Sequence, residues 1–490
     1  MERAPLKHHD RIAQVALTFL PKGSPYKTQI QTIESILAKR NVLLVAPTGF
    51  GKSLCYQVPT KISGKPTLVV SPLIALMDDQ ASQNRSHGFR AGCLHSGRGS
   101  FEQWQTISKW IMGELDFIFT SPERLLSQSV LDSLALNPPG LIVIDEAHCI
   151  STWGTGFRPL YRKIGERVQG FIDTPILAMT ATATDNTSED IGTVFSQRSF
   201  ETIREPIRFS NIAIFVHRVP TIQERVSMII DLSSKPCNLP MVVFCPTKRL
   251  ADGVTQNLAA SGLRAYSFHA GLTLSERERA LTLFQASHRA ILVATSAFEM
   301  GINDRRIRSI VHCGLPASLE SYVQGVGRAG RDGQKAEATL LFDDIDLDLH
   351  EAIRLRSSST RAMAQDVYEF AKIFECRVKF LNRYFHGSAG SFELHPCHIC
   401  DNCCRRNLHT ITATKERELA IKSWRHQEAL RSGKRAFQIL SDREALRISI
   451  ADPKDITDLQ AITGIRRSVI KAFGSEIIRI IQDLYYNKSG

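Results

Sequence analysis

Residues 46–53 have the types and spacing of a loop that binds phosphate groups. Its two glycines let the backbone curl so that N–H groups point inward, Lys52 can reach the β- and γ-phosphates, and the Ser53 hydroxyl can bind Mg²⁺. The first position of the pattern, usually glycine, is Ala46. A buried strand is expected over residues 42–45, and a helix from Leu54. The residues expected to bind ATP here are Thr48, Gly49, Gly51, Lys52 and Ser53.

A pair of acids follows the apolar run 141–144 and supplies the second half of an ATPase site. At the end of a strand beside a phosphate loop, Asp145 can hold Mg²⁺, and Glu146 can orient and deprotonate the attacking water. The alternative is two solvated acids in a loop. The strand before the pair and the phosphate loop upstream of it favour catalysis.

Two arginines far along the chain, Arg328 and Arg331, are framed by glycines. Their spacing of three residues places both guanidinium groups on one face of a helix. Arginines can stabilise the charge that develops during phosphoryl transfer, so these two are candidates for that role. Solvated surface arginines are the alternative, which the flanking glycines disfavour because they permit close backbone approach.

The composition limits the class of protein. With 490 residues the chain is expected to contain about three domains. A net charge of +12 favours a polyanionic partner such as nucleic acid over an indifferent basic surface. No apolar run is long enough to span a bilayer, and residues 1–10 lack the core of a signal peptide. We therefore expect an intracellular protein without membrane association, cytoplasmic and nucleoid-associated if bacterial.

Short apolar runs alternate with helical patterns in two successive regions, which predicts an α/β fold with two parallel-sheet lobes. ATP bound between the phosphate loop of one lobe and the arginines of the other would draw the lobes together, and hydrolysis would release them. The expected strands are 42–45, 68–70, 117–119, 141–144 and 176–179 in the first lobe, and 241–244, 265–268, 290–294, 309–311 and 338–342 in the second.

Four late cysteines have the spacing of a closed zinc site, with two-residue gaps that let neighbouring thiolates converge on one ion. They are Cys376, Cys397, Cys400 and Cys403. Cys376 is expected on a long amphipathic helix, 363–385. A redox pair and an iron–sulfur cluster are the alternatives to structural Zn²⁺. His395, His398 and Cys404 are spare candidate ligands that are not expected to be used. The six cysteines scattered earlier in the chain fit reduced, partly buried thiols.

These motifs together resemble the RecQ family of superfamily-two DNA helicases, over residues 26–403 and again over the tail. Further stretches that carry the resemblance are 69–80, 120–125, 178–184 and 294–303. Residues 149–159 are similar to the family's aromatic-rich loop, which senses single-stranded DNA. Trp153 and Phe157 could stack on bases and Arg158 could meet phosphate, whereas a buried structural Trp153 is the alternative. Thr155 and Gly156 replace the usual histidine and aspartate of that loop.

The resemblance also implies a role for Gln29, which could read the adenine edge, although the surrounding motif is otherwise altered. The tail resembles the helicase-and-RNase-D C-terminal (HRDC) domain, an auxiliary nucleic-acid-binding module. The stretch between Cys404 and the first expected tail helix, near Leu419, is too short for the winged-helix domain usual in the family.

The resemblance implies two tandem RecA-like lobes, a helical zinc-binding module and a small all-α HRDC-like domain. The expected boundaries are 1–210, 211–345, 346–408 and 414–487. It implies an ATP-dependent helicase moving 3′ to 5′, with ATP, Mg²⁺ and Zn²⁺ as cofactors. The expected partners are single-stranded, duplex and branched DNA, and a single-strand-binding protein. The main alternative is a DNA-dependent ATPase that translocates or remodels complexes without strand separation. A scaffold with an inactive ATPase and an RNA helicase are less favoured.

Overall fold

The short apolar runs of the first region pair into a parallel sheet in the computed structural model, which describes residues 8–20, 23–151, 159–195, 198–295, 304–348, 358–386 and 396–486. The sheet has the order β3-β4-β2-β5-β6-β1-β7. Its strands are β1 Asn41–Val45, β2 Thr67–Val70, β3 Ala91–Leu94, β4 Phe117–Thr120, β5 Leu141–Ile144, β6 Ile176–Thr180 and β7 Phe200–Arg204.

Helices cover both faces of this sheet, which explains why its central strands read as continuous apolar runs. Because successive strand residues point to opposite faces, Leu43 and Val45 join one buried cluster, and Val42 and Leu44 join the other. The α-helices of this lobe are α1 His8–Leu17, α2 Lys27–Leu37, α3 Leu54–Ser63, α4 Ile74–Ser86, α5 Ser100–Ile111, α6 Pro122–Leu125, α7 Gln128–Ala135, α8 Pro159–Arg162, α9 Ile164–Arg167 and α10 Asp185–Val194. Short 3₁₀ turns occupy Ala147–Ile150 and Val168–Phe171.

The second region forms another parallel sheet, of order β10-β11-β9-β12-β13-β8. The apolar interior strands again lie between helical layers. The strands are β8 Ile212–Arg218, β9 Met241–Phe244, β10 Arg264–Phe268, β11 Ala290–Ala294, β12 Ser309–Cys313 and β13 Ala336–Phe342. The helices are α11 Ile222–Ser233, α12 Lys248–Ala260, α13 Leu274–Gln285 and α14 Leu319–Val326, with a 3₁₀ turn at Pro236–Asn238.

The two lobes share a repeated unit without insertions or deletions, formed by residues 67–120 and 241–294. Both units have the element order β-α-β-α-β, and their strands lie in equivalent order, β3-β4-β2 and β10-β11-β9. Helix α4 begins at Ile74 and α12 begins 174 residues later at Lys248, and each of the other helix bounds is displaced by the same number. The strand registers agree as well, because Thr67 pairs with Phe117 and Met241 pairs with Ile291.

A helical segment, α15 Ser358–Lys372 and α16 Arg377–His386, follows the second sheet. The sequence predicts one helix over 363–385, and this prediction is wrong, because the chain breaks before Cys376. Helix α16 packs on the linker between the lobes: the Asn382 side chain accepts a hydrogen bond from the N–H of Ile207 (2.8 Å) and donates one to its carbonyl (2.9 Å). The break allows Cys376 to leave the helical path and approach the other late cysteines.

The chain forms two compact units, residues 1–400 and 401–490. The second unit is all-α, with a core that includes Ile421, Ile448, Leu459 and Ile477. Gly474 is expected to separate two helices, but it lies within one, where an added Cβ would contact Leu459 at 3.5 Å. The helices are α17 Arg405–Ser432, α18 Ala436–Ile439, α19 Asp442–Ala451, α20 Ile456–Ala461 and α21 Arg467–Tyr486.

The predicted fold class is confirmed: two parallel-sheet α/β lobes precede a helical segment and a small all-α domain. Within the described ranges, none of the helices has the length and apolar character needed to cross a membrane.

Candidate functional site

The phosphate loop lies at the carboxyl end of β1, where the strand's buried residues give way to glycines in left-handed conformations. Gly49 has φ +86° and Gly51 has φ +81°, which side chains other than glycine rarely adopt. The Lys52 ammonium donates a hydrogen bond to the carbonyl of Ala46 (2.9 Å). Ser53 immediately precedes α3. The loop therefore presents a lysine, a hydroxyl and curled backbone at one end of the sheet.

Ala46, at the position usually held by glycine, continues the hydrogen bonding between β1 and β6 by one residue. Its side chain is buried, and its N–H donates to the carbonyl of Thr180 at the end of β6 (3.0 Å). The curl begins only after this residue, so a methyl group at position 46 does not obstruct the loop.

Gln29, at the start of α2, lies against the phosphate loop. Its amide donates to the carbonyls of Phe50 (2.9 Å) and Gly51 (3.2 Å), and its oxygen accepts from the N–H of Tyr26 (2.8 Å). An added Cβ at Gly51 would lie 3.1 Å from the Gln29 amide nitrogen. Gln29 thus supports the loop backbone, and its predicted contact with adenine stays a prediction.

The acid pair lies two strands from the phosphate loop, at the end of β5. The Asp145 N–H donates to Val70 (2.9 Å), and its carboxylate accepts from the Gln80 amide (3.2 Å) and from the N–H of Glu146 (3.0 Å). Glu146 has a left-handed backbone (φ +48°), which is strained for a residue with a side chain. These contacts hold the two carboxylates at the same edge of the sheet as the phosphate loop.

Electrostatics distinguish the two acids. Burial, followed by the charge of Glu146, raises the pKa of Asp145. Burial would also raise the pKa of Glu146, but the hydrogen bond and charge of His148, together with Lys52, hold it below its usual range. Burial lowers the pKa of Lys52, which the two acids oppose. Glu146 is thereby favoured as a charged carboxylate, the form that accepts a proton.

Two further residues belong to this site, and the sequence assigns no role to either. The His148 Nδ1 lies 3.3 Å from the Glu146 carboxylate and 3.1 Å from the Thr180 hydroxyl, linking β5 to β6. Gln80 reaches Asp145 from α4. Only their positions in the sequence could have pointed to them. His148 follows the acid pair within three residues, and Gln80 is the last residue of the motif 69–80.

Arg328 and Arg331, just after α14 of the second lobe, face the site in the first lobe. The positive charge of Arg328 contributes to the lowered pKa of Glu146. Burial lowers the pKa of Arg331, which Glu146 opposes, and Arg331 in turn lowers the pKa of Lys52. The structure therefore brings together the phosphate loop, the acid pair and both arginines.

The two lobes approach each other closely at Gly327. An added Cβ there would lie 2.9 Å from the Cβ of Thr48 in the phosphate loop, which is too close for either side to remain in place. The backbone of Gly327 has φ −65°, which any residue can adopt. Glycine is thus needed at this position because the two lobes come so close together. Its own backbone conformation does not require glycine.

Replacing Gly327 by alanine is therefore expected to reduce ATP turnover by about 10- to 100-fold, because displacements near 1 Å at reacting groups have effects of this size. Each lobe should stay folded in thermal unfolding, because the backbone conformation suits alanine and the Val323 carbonyl, 3.2 Å from the added Cβ, needs to shift by only a few tenths of an ångström. Gly192→Ala is the matched control: Gly192 lies within α10 with nothing within 4 Å of an added Cβ. Full turnover by Gly327→Ala would show that the reacting state does not use this contact.

The four late cysteines converge as predicted. The sulfur atoms of Cys376, Cys397, Cys400 and Cys403 all lie within 4.8 Å of one another, and the N–H of Cys397 donates to the sulfur of Cys376 (3.3 Å). Four thiolates at this separation fit a tetrahedral zinc ion. Cys404 does not belong to the group. The predicted DNA-contacting residues Trp153, Phe157 and Arg158 lie outside the described residues.

Three protein families match successive parts of the chain: DEAD/DEAH box helicase over residues 26–191, helicase conserved C-terminal domain over 224–333, and HRDC domain over 416–481. These matches place one helicase family on each sheet and the third on the all-α unit.

Two curated relatives are similar over most of this chain. The ATP-dependent DNA helicase RecQ of Haemophilus influenzae is 35% identical over 383 residues, covering 77% of this chain and 61% of its own length. The probable ATP-dependent DNA helicase RecS of Bacillus subtilis is 33% identical over 368 residues, covering 74% of this chain and 73% of its own. The chain thus spans less than two thirds of the Haemophilus protein's length.

Among solved structures, the DUF1998 helicase MrfA bound to DNA has the same fold over 75% of this chain and 58% of its own, with a TM-score of 0.56 and 17% identity.

Proposed function

Because the chain belongs to the RecQ family of ATP-dependent DNA helicases, we propose that it hydrolyses ATP to move 3′ to 5′ along single-stranded DNA and to separate duplex or branched DNA. The observation that carries the proposal is the composite site. Lys52 and Glu146 of one lobe lie within electrostatic range of Arg331 of the other.

In the proposed hydrolysis, the phosphate loop and Lys52 bind the phosphates, and Glu146 orients the attacking water and accepts its proton. Arg331 stabilises the charge of the transition state, with Arg328 in support. The oxygen donors Ser53 and Asp145 fit Mg²⁺, which when bound would neutralise phosphate charge. Gln29 would contact the adenine while holding the loop. His148 positions Glu146 through the contact at 3.3 Å.

Movement along DNA would follow from the division of the site between two lobes. Bound ATP attracts the arginines of the second lobe, and loss of the γ-phosphate removes that attraction. Trp153, Phe157 and Arg158 are proposed to report bound single-stranded DNA to the acid pair, which precedes them by only a few residues in the chain. The four cysteines are proposed to hold structural Zn²⁺.

We keep the four-part division 1–210, 211–345, 346–408 and 414–487 as a proposal, with the HRDC-like part as an auxiliary DNA contact. A single-strand-binding protein as partner and a cytoplasmic, nucleoid-associated location in a bacterium are proposed on the same grounds.

The second candidate function is translocation or remodelling without strand separation. It is favoured by one observation: α17 begins at Arg405, directly after the cysteines, and runs as a single helix to Ser432. No stretch of about 100 residues, the size of a typical domain, separates the cysteines from the tail, so the usual winged helix has no place between them.

A strand-displacement assay on 3′-tailed, 5′-tailed and blunt duplexes separates these functions. We expect unwinding of the 3′-tailed duplex, little action on blunt duplex, and steep inhibition by salt. The remaining DNA contacts are expected to be mainly to phosphates, for which affinity falls with a log–log salt slope of about −0.7 per single-strand phosphate neutralised.

Lys52→Ala is the control for ATP dependence in this assay. Preference for the 5′-tailed duplex would contradict the proposed polarity. DNA-stimulated ATPase activity without displacement of any strand would establish the second candidate function.

A further inference from the structure

The repeated units 67–120 and 241–294 contain the same hydrogen-bonded turn. In the first, the N–H of Gly97 donates to Nδ1 of His95 (3.2 Å), and Nε2 of His95 lies 3.3 Å from Asp78. Because a backbone N–H can only donate, Nδ1 accepts and Nε2 carries the proton in the neutral ring. The second unit has identical connections: Gly271 donates to His269 (3.2 Å), and His269 donates to Asp252 (2.8 Å).

This shared turn explains a group of residues that otherwise resembles a metal site, Asp78, Cys93 and His95. The equivalent of Cys93 in the second unit is Ser267, whose hydroxyl donates to Asp252 (3.0 Å). The same turn forms in the second unit with serine in place of the cysteine, and serine is a poor zinc ligand. We therefore interpret these side chains as hydrogen-bonding partners that support the turn and not as a metal site. What the two units share is therefore structural.

The informative positions are those where the units differ, on α5 and its counterpart α13. Phe101 and Trp104 of α5 are 68% and 63% exposed, and their rings stack on each other with centroids 6.1 Å apart and planes inclined by 21°. The residues 174 positions later are Ser275 and Glu278. By contrast, the buried aromatic of this helix, Trp110, corresponds to another buried aromatic, Phe284.

The second unit therefore shows that this fold forms without aromatics at the two exposed positions. Two large rings that are about two thirds exposed gain little from burial, and adjacent exposed rings on a surface mark a binding site more often than isolated ones do. The aromatic pair is therefore available for contacts outside the unit.

Positive charge lies beside the aromatic pair. A cavity of about 300 Å³ on the adjoining face of α5 is lined by Arg85, Arg98 and Lys109, with Glu102 as its acidic residue. Arg98 forms ion pairs with Asp78 (2.6 Å) and Glu102 (3.7 Å), so Arg85 and Lys109 supply the net positive charge of this cavity. Arg98 has Leu272 as its counterpart in the second unit. An exposed aromatic platform next to cationic side chains is the combination that binds single-stranded nucleic acid, through base stacking and phosphate attraction together.

We propose that Phe101 and Trp104 form a base-stacking platform for single-stranded DNA on the first lobe, separate from residues 149–159. The cations that line the adjoining cavity attract the phosphate of the same strand. This inference rests on the proposed function, since it assumes that the chain binds single-stranded DNA.

The test is binding of a fluorescent single-stranded oligonucleotide, measured by anisotropy, to the whole chain and to the Phe101→Ala/Trp104→Ala variant. Stacking on aromatic side chains contributes about 1–3 kcal/mol per base, so we expect binding to weaken by about five-fold or more. An oligonucleotide of the same length without bases should bind both proteins equally. Phe101→Tyr/Trp104→Tyr should bind like the original chain, because tyrosine also stacks.

Met112→Ala is the matched control, since Met112 is 70% exposed at the end of the same helix but is not aromatic. Thermal unfolding of all variants should be unchanged. If the original chain binds DNA and the double alanine variant binds equally well, the platform does not exist, while the proposed function stands. If the loss is the same with the oligonucleotide that lacks bases, the rings do not stack on bases. If the original chain does not bind DNA at all, the proposed function itself fails.

Discussion

Replacing Glu146 by glutamine is expected to slow ATP hydrolysis by about 10²- to 10⁴-fold, the usual contribution of a general base. The amide keeps the size of the side chain and can still approach His148, but it cannot accept a proton from water. ATP affinity should change little, because Lys52 and the phosphate loop are untouched. The measurements are steady-state ATPase activity with and without DNA, and binding of a fluorescent ATP analogue.

Glu166→Gln is the control, since Glu166 is an exposed acid on α9. Lys52→Ala should differ from both variants by weakening nucleotide binding as well as turnover. Near-normal hydrolysis by Glu146→Gln would remove Glu146 from the reaction and would leave Asp145 as the acid to test.

Replacing Cys400 by alanine is expected to abolish metal binding, from about one zinc per chain to almost none. Cys400 is fully buried, and its sulfur lies among three others. Structural zinc sites supply folding free energy directly, so three remaining thiols should not hold this segment in place. We expect a lower thermal midpoint and easier proteolysis near residues 376–403. Basal ATPase activity of the folded fraction should persist, because the cysteines lie outside the ATP site.

Cys404→Ala is the matched control for this experiment, because Cys404 follows Cys403 directly but is not in the cluster. It should retain zinc and stability. Elemental analysis distinguishes zinc from the alternative metal centre. Iron together with inorganic sulfide would identify an iron–sulfur cluster. A metal-free protein of unchanged stability would show that the four thiols are structural without an ion.

The sequence predicted most strands because they are buried on both faces and read as apolar runs. The missed strands are β3, β7 and β8, each of which lies at the edge of a sheet. Each of these strands contains partly exposed residues, and strands such as Phe200–Arg204 carry charged side chains, so they show no continuous apolar run. An edge strand is defined by its neighbour, which local sequence does not reveal.

The helix breaks illustrate the same limit. The residues 363–385 have an uninterrupted helical period, yet the chain leaves the helix before Cys376, where the cysteine cluster provides the competing interaction. Gly474 has the reverse outcome, since the helix continues through it, and an added Cβ there would meet Leu459 at an ordinary contact distance of 3.5 Å. A glycine lowers helix propensity by only about 1 kcal/mol, which the packing of a long helix can offset.

In the candidate site, the sequence could place the phosphate loop and the acid pair at one edge of a sheet, because parallel strands have their carboxyl ends together. It could not show that Gly327 touches Thr48, since this contact joins residues of different lobes. The roles of Gln80 and His148 were also hidden, because a hydrogen bond between neighbouring strands or helices has no pattern in the sequence.

The repeated unit also suggests an exchange of segments between the lobes and an origin by duplication. Because the helices of its two copies match in length and equivalent residues keep one constant spacing, residues 94–102 could be exchanged with 268–276 without inserting or deleting a residue. Such a chimera would move the arginine and the first aromatic to the other lobe while both histidine-centred turns remained intact. A unit that tolerates this exchange is what a duplicated ancestral segment would leave behind, with one copy free to acquire new surface chemistry while the other kept the original frame.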